Sequence, residues 1–337
     1  MLSSCNRGPQ PLEIHKGTEG ITIDFGENIP PPQVYEGQYF LILANLWNKG
    51  AYTFNESRGD YGVVNIDYDP LYFNSSQNNQ NKFYSDIPTF QLAGKSLEWP
   101  NGEKLNKEIS LLGVNNIPGT RESPKVKLTA SACYPYMTVL TQEICVDVDA
   151  YKADQNPVCR NKGTYTYTGG QGAPVSITEV EVSMIPLGSQ LLNRPGSVAD
   201  TDEEGRLIGM KESNENSRLF IIQPYFKIKI KNAGDGLVMT RTENIEIKDI
   251  CSPTTGDRTF NDINNLKIDA WLGGTKLTCN PNPVRVLKDE TQATCFLPRE
   301  DASGVNRNYM SILTVKLDYV YRSFTERKIT ILRSNYK

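Results

Sequence analysis

The closing strands of this chain are written twice. Residues 126–148, VKLTASACYPYMTVLTQEICVDV, align without a gap on residues 311–333, SILTVKLDYVYRSFTERKITILR. Leu128 falls on Leu313, Tyr134 on Tyr319, Tyr136 on Tyr321, Ile144 on Ile329 and Val146 on Ile331. Nearly the same offset lays YFLILANLWNKG (39–50) on YFKIKIKNAG (225–234). A spacing of roughly 185 residues lies far beyond solenoid periods and points to a duplicated domain.

Within each copy the residues alternate. Val126, Leu128, Ala130, Ala132 and Tyr134 share one face, with Lys127, Thr129 and Ser131 on the other. Leu313, Val315, Leu317, Tyr319 and Tyr321 repeat the apolar face, and Thr314, Lys316 and Asp318 the polar one. Period two with one apolar face is the pattern of a half-buried antiparallel strand. Each copy is expected to form a hairpin that closes its unit.

At 337 residues the chain suits two domains, each able to bury a core. The expected class is all-β: two tandem immunoglobulin-like antiparallel β-sandwich domains related by internal duplication, with about seven short strands each. Residues 1–17 read as a tail and 18–160 as the first domain, with a polar insert at about 54–90. Residues 161–174 (NKGTYTYTGGQGAP) read as a linker and 175–337 as the second domain. Gly20–Phe25 opens the first unit as Val175–Val180 opens the second. Asn48-Lys49-Gly50 reads as a turn whose glycine tolerates positive φ.

The opening strand, the YF-x-I-x-I strand ending in N-x-G (Asn48–Gly50, Asn232–Gly234) and the closing L-x-V-x-L-x-Y segment together resemble the CARDB-type immunoglobulin-like modules of prokaryotic, especially archaeal, cell-surface proteins. The resemblance covers both units. It implies adhesion, spacing or assembly outside a cell, and it carries no catalytic residues to transfer.

Of the seven cysteines, none forms a C-x-x-C pair, and His15 is the only histidine, so zinc-site spacing is absent. Six of them could form three bridges, which suits an oxidising, extracytoplasmic setting; buried reduced cysteines are the alternative. Cys145–Cys159 and Cys279–Cys295 are favoured because each closes a loop of roughly 15 residues. Cys133 and Cys251 then pair between domains or stay free, and Cys133–Cys145 is the competing bridge. Cys5 follows Leu2-Ser3-Ser4, a lipobox-like context that makes it a lipidation candidate; an ordinary flexible tail is the alternative.

The chain lacks G-x-S-x-G, H-E-x-x-H, a Walker loop and a dinucleotide fingerprint, and one histidine suits no Ser-His-Asp arrangement. No enzyme is expected. A formal charge of −3 offers nucleic acid no attraction, and no run approaches the roughly 20 apolar residues of a spanning helix. No cofactor is expected unless Ca²⁺ binds Asp200, Asp202 and Glu204. There oxygen ligands at alternate positions precede Gly205, but Lys211 stands where a calcium loop needs an acid. Asp147, Asp149 and Asp154 form a weaker acidic group. Arg58-Gly59-Asp60 spells the tripeptide that animal integrins read.

Asn55 and Asn74 begin glycosylation sequons. Tyr61, Tyr68, Tyr72 and Tyr84 crowd the insert as interface candidates, while Trp47 and Trp271 are expected in the two cores. The expectation is a non-catalytic extracytoplasmic protein, secreted or on the cell surface, serving adhesion, spacing or self-assembly of an envelope structure. Its partners would be copies of itself or other envelope proteins, with glycans as further candidates. The alternatives are a carbohydrate-binding module, with or without Ca²⁺, or a virion or fibre structural protein.

Overall fold

The computed structural model describes residues 13–54, 56–75, 88–117, 123–147, 157–186, 197–201, 207–212, 222–242, 245–252, 262–298, 301 and 308–333. The first half contributes β1 (Ile21–Phe25), β2 (Gln33–Tyr35), β3 (Tyr39–Asn48) and β4 (Gly62–Asp67). It continues with β5 (Phe73–Ser75), β6 (Thr89–Phe90), β7 (Lys104–Val114) and β8 (Lys125–Val146). The second half opens with β9 (Thr164–Thr166), β10 (Val175–Pro186), β11 (Ser197–Thr201), β12 (Leu207–Glu212) and β13 (Ile222–Asn232). Then come β14 (Leu237–Met239), the short helix α1 (Ile247–Cys251), β15 (Asn265–Leu272), β16 (Thr275–Lys276) and β17 (Thr278–Asn280). It ends with β18 (Val284–Arg285), β19 (Thr291–Phe296) and β20 (Tyr309–Leu332).

The fold is all-β. One sheet runs β1-β3-β7-β5, a second runs β17-β19-β13-β10-β9, and β11-β12 form a separate pair. The largest runs β16-β15-β20-β8-β4-β6, with β2 and β14 also paired to β20. All pairings are antiparallel except β2 on β20.

Neither copy of the repeat is a hairpin. Residues 125–146 and 309–332 are single strands of 22 and 24 residues. They pair with each other from Tyr309↔Val146 to Thr330↔Lys125. The Tyr-Pro-Tyr at 134–136 runs straight through. β4 pairs no further than Cys133, so Pro135 sits opposite Val320 with no strand among the described residues on its other side to miss its N–H. Pro135 and Val320 are also the residues that the repeat aligns. The register is therefore that of a local two-fold axis through this pair, with Tyr134 opposite Tyr321 and Tyr136 opposite Tyr319.

The alternation holds where expected. Leu128, Ala130, Ala132, Tyr134, Leu313, Val315, Leu317 and Tyr319 are buried. They belong to one continuous core with Ile21, Ile23, Ile42 and Leu46 of the first half and Val175, Ile177, Ile228 and Ile230 of the second. The two halves thus share one interior, because β8 and β20 zip them into a common sheet. A second, smaller cluster lies on the outer face of that sheet. There Ile247, Ile250 and Cys251 of α1 cover Val63, Cys133 and Val320. Trp47 and Trp271 are not core residues. The alternation that buries Leu46 and Leu272 turns each indole outward, beneath Lys104 and Lys49 (4.1 and 4.8 Å) or Lys316 (5.1 Å).

Three disulfides close: Cys145–Cys159, Cys279–Cys295 and Cys133–Cys251. The first two are the pairs favoured by loop length. The third, left open by sequence, spans 118 residues and pins α1 to the back of β8.

Candidate functional site

Four tyrosines surround the two-fold axis, and each hydroxyl holds an opening or N-x-G strand. The Tyr134 hydroxyl accepts from Ile21 N at 2.9 Å and donates to the Ile21 carbonyl at 2.8 Å. On the other side, Tyr319 Oη accepts from Val175 N at 3.3 Å. Ser323 donates to the Ile21 carbonyl at 2.7 Å, as Thr138 donates to the Val175 carbonyl at 2.6 Å. Tyr136 bonds Asn48 Oδ1 and Tyr321 bonds Asn232 Oδ1, both at 3.3 Å. Asn48 Nδ2 donates to the Tyr52 carbonyl at 2.8 Å, and Asn232 Nδ2 donates to that of Gly236 at 3.0 Å.

This arrangement gives the N-x-G motif a physical reason. A Cβ on Gly50 would overlap the Tyr136 hydroxyl, and one on Gly234 would overlap that of Tyr321. Neither glycine is among the residues with positive φ. They supply room for a tyrosine oxygen, not the left-handed turn that sequence suggested. Burial pushes all four tyrosine pKa values up, that of Tyr321 to about 12. All four stay protonated at neutral pH and serve as neutral hydrogen-bonding posts.

A charged cluster joins the halves on the other face of the large sheet. Arg58 Nη2 meets Asp318 Oδ2 at 2.6 Å, and Arg241 Nη2 meets Asp60 Oδ1 at 2.7 Å. The Tyr52 hydroxyl donates to Asp60 Oδ2, and burial together with that carboxylate holds the Tyr52 pKa far above the ordinary range. Arg241 Nη2 also donates to the Arg58 carbonyl at 3.3 Å. Asp60 is fully buried. The Arg-Gly-Asp tripeptide is therefore an internal clamp, with its acid paired inside the protein and not offered at a loop tip. Arg241 and Asp318 carried no sequence signal of this role, since Asp318 reads only as an outward-facing strand residue.

The remaining candidates are scattered. Tyr61, Tyr68 and Tyr72 are half-buried against the two cores, and Tyr61 Oη accepts from Lys248 N at 3.3 Å. Asn74 is exposed in β5, where its amide donates to Asn115 Oδ1. Asp147 Oδ1 accepts from Asn308 at 2.8 Å. The backbone of Asp200 pairs with Gly209 in the β11–β12 ladder. Cys5, Asn55, Tyr84, Asp149, Asp154, Asp202 and Glu204 lie outside the described residues. Among the described residues, no three His, Cys, Asp or Glu side chains stand close enough to hold a metal ion. Nor is any helix among them long and apolar enough to cross a membrane.

Of two cavities on the described surface, one reaches Tyr134 and Tyr321. One of ≈ 370 Å³ lies beside β1, bounded by Ile21, Ile23, Asp24, Tyr134, Ser323 and Phe324 among others. The other, ≈ 520 Å³, lies beyond β9 and is lined by His15, Val139, Thr141, Tyr167 and Gln171 among others.

No family model matches the chain, and no curated protein sequence matches it. Solved structures with a weak likeness include the C-terminal domain of the Streptococcus agalactiae antigen I/II polypeptide BspA. It is 10% identical over 93% of this chain and 98% of that one, with a TM-score of 0.16. The C-terminal domain of the Streptococcus pyogenes antigen I/II-family protein AspA is 9% identical over 94% and 98%, with a TM-score of 0.18. Overlaps of that size are below what a shared fold produces.

Proposed function

We propose that this is a non-catalytic extracytoplasmic protein, built of two duplicated immunoglobulin-like units resembling CARDB-type modules, that serves adhesion, spacing or self-assembly of an envelope structure. The observation that carries the extracytoplasmic reading is the set of three disulfides, one of them closing 118 residues. Such bonds persist where thiols are not kept reduced. The duplication is supported by the opening and N-x-G strands, which are held twice by the same kinds of hydrogen bond around one axis. Absence of catalysis is supported by the buried ionisable groups, which are used against one another: Asp60 on Arg241, Asp318 on Arg58, and tyrosines on backbone. Among the described residues the sheets end in edges such as β1 and β5 that pair with no further strand, and such edges invite strand addition. Light scattering over a concentration series, on protein kept oxidised, tests the reading. Growth of defined oligomers, or stable capture of an envelope component from the native source, is expected. A monomer that captures nothing, or six free thiols on direct labelling, would overturn it.

A further inference from the structure

The two opening strands have different outer edges. In β10, alternation turns the N–H and C=O of Val175 and Ile177 away from β13. Ile177 is satisfied by a single side chain: its N–H donates to Gln171 Oε1 at 2.9 Å, and its carbonyl accepts from Gln171 Nε2 at 3.0 Å. Beyond it, β9 adds three residues to the same edge, with Val180 opposite Tyr165.

β1 repeats the geometry without that cover. Ile21 pairs with Asn48 as Val175 pairs with Asn232, so Ile23 occupies the place of Ile177. Lys49 N donates to the Gly20 carbonyl at 3.0 Å and Gly26 N to the Leu43 carbonyl at 3.0 Å. These bonds set the alternation that turns Ile23 outward. Ile21 is held by Tyr134 and Ser323, but among the described residues nothing bonds the outward N–H or carbonyl of Ile23, a residue 3% exposed that lines the ≈ 370 Å³ cavity. Phe324, on the cavity wall, is 46% exposed, whereas its repeat counterpart Val139 is half-buried. The described residues before β1, 13–20, do not double back to cover the edge. They cross to the second half, where Gly17 N donates to the Gly169 carbonyl at 2.7 Å and Gly172 N to the Gly17 carbonyl at 2.8 Å.

We propose that the β1 edge and its cavity receive an extended segment of another protein chain, which places a glutamine carboxamide on Ile23 as Gln171 sits on Ile177. The molecule itself displays the chemistry that fits: a short strand of threonine and tyrosine, followed by one amide that presents a donor and an acceptor side by side. Asp24 on the cavity rim is exposed and has no ion-pair partner among the described residues, so a basic residue in the segment would find a counter-charge. This assignment rests on the assembly reading above and names one surface through which it operates.

The probe is a capped synthetic peptide of residues 161–174, NKGTYTYTGGQGAP, added to the intact protein. Titration should give saturable one-to-one binding and slowed hydrogen exchange at the Ile23 amide. Gln171→Glu in the peptide removes the donor and should weaken binding by about tenfold, leaving the protein untouched. Ile23→Pro in the protein removes an N–H that β3 does not use and should weaken binding similarly. Three results would each overturn the proposal: no binding at millimolar peptide, equal binding of the two peptides, or an Ile23 amide already protected in the free protein. Oligomers that form while the peptide is ignored would leave the assembly reading standing and remove this surface. Peptide binding by a strict monomer would do the reverse.

Discussion

Replacing Tyr134 with Phe deletes one oxygen at the two-fold axis and leaves the ring in place. That oxygen accepts from Ile21 N at 2.9 Å and donates to the Ile21 carbonyl at 2.8 Å. Ser323 still donates to the carbonyl at 2.7 Å, so only the N–H loses its partner. Ile21 is 1% exposed, and water has no easy way to replace the bond. An orphaned buried donor costs about 1–3 kcal/mol, and a lost net hydrogen bond about 1 kcal/mol. The expected destabilisation is that of the orphaned donor, about 1–3 kcal/mol. Tyr136→Phe is the internal control. Its hydroxyl contacts lie at 3.3 Å to Asn48 and to Gly172 and 3.4 Å to Tyr52, long enough that losing them should cost about 1 kcal/mol or less. Urea denaturation followed by fluorescence reads both variants, and equal m-values would show that the unfolded states are comparable. The reasoning fails if Tyr134→Phe changes stability by less than about 0.5 kcal/mol, or by no more than Tyr136→Phe.

Gly50→Ala should cost about 1–3 kcal/mol, read as a lower Tm, because the new methyl overlaps the Tyr136 hydroxyl in a packed interior. Arg241→Met should destabilise by about 3–5 kcal/mol by leaving Asp60 charged and buried; adding Asp60→Asn should return part of that loss, and additive losses in a double-mutant cycle would contradict the clamp. Thermal stability should fall as pH rises above about 10, where the unfolded chain ionises its tyrosines while the folded pKa values stay higher. This stabilisation is fully present below the unfolded pKa and is lost as pH climbs toward the folded values. An alkaline limb unchanged in a Tyr134→Phe/Tyr319→Phe variant would remove the tyrosines as its cause.

Reading this chain by periodicity works wherever the cause is local. The apolar face of 126–134 and 313–321 is legible because a strand turns alternate side chains to opposite sides, whatever it pairs with. The same rule, followed one residue further, would have placed Trp47 and Trp271 outside: each neighbours a buried leucine in a half-buried strand, so bulk alone was the wrong guide. Loop length picked out Cys145–Cys159 and Cys279–Cys295, since short loops close at low entropic cost. It had nothing to offer for the 118-residue bridge, which depends on where α1 lands.

What the sequence determined by itself is the all-β character and the inward faces of 126–134 and 313–321, because these follow from period two and residue type. Only tertiary structure decided that the two repeats pair with each other. Strand partners are chosen by non-local register, and Pro135 is tolerated because, among the described residues, no second strand needs its N–H. The Arg58–Asp318 contact joins residues 260 apart, and the Asp60–Arg241 contact joins residues 181 apart. No local pattern marks such pairs, because a charge in an alternating strand looks the same whether it meets water or a distant counter-charge. The N-x-G motif could be seen in the sequence, but its reason could not. Its glycine is small because a tyrosine from the far end of the unit must reach past it to the asparagine.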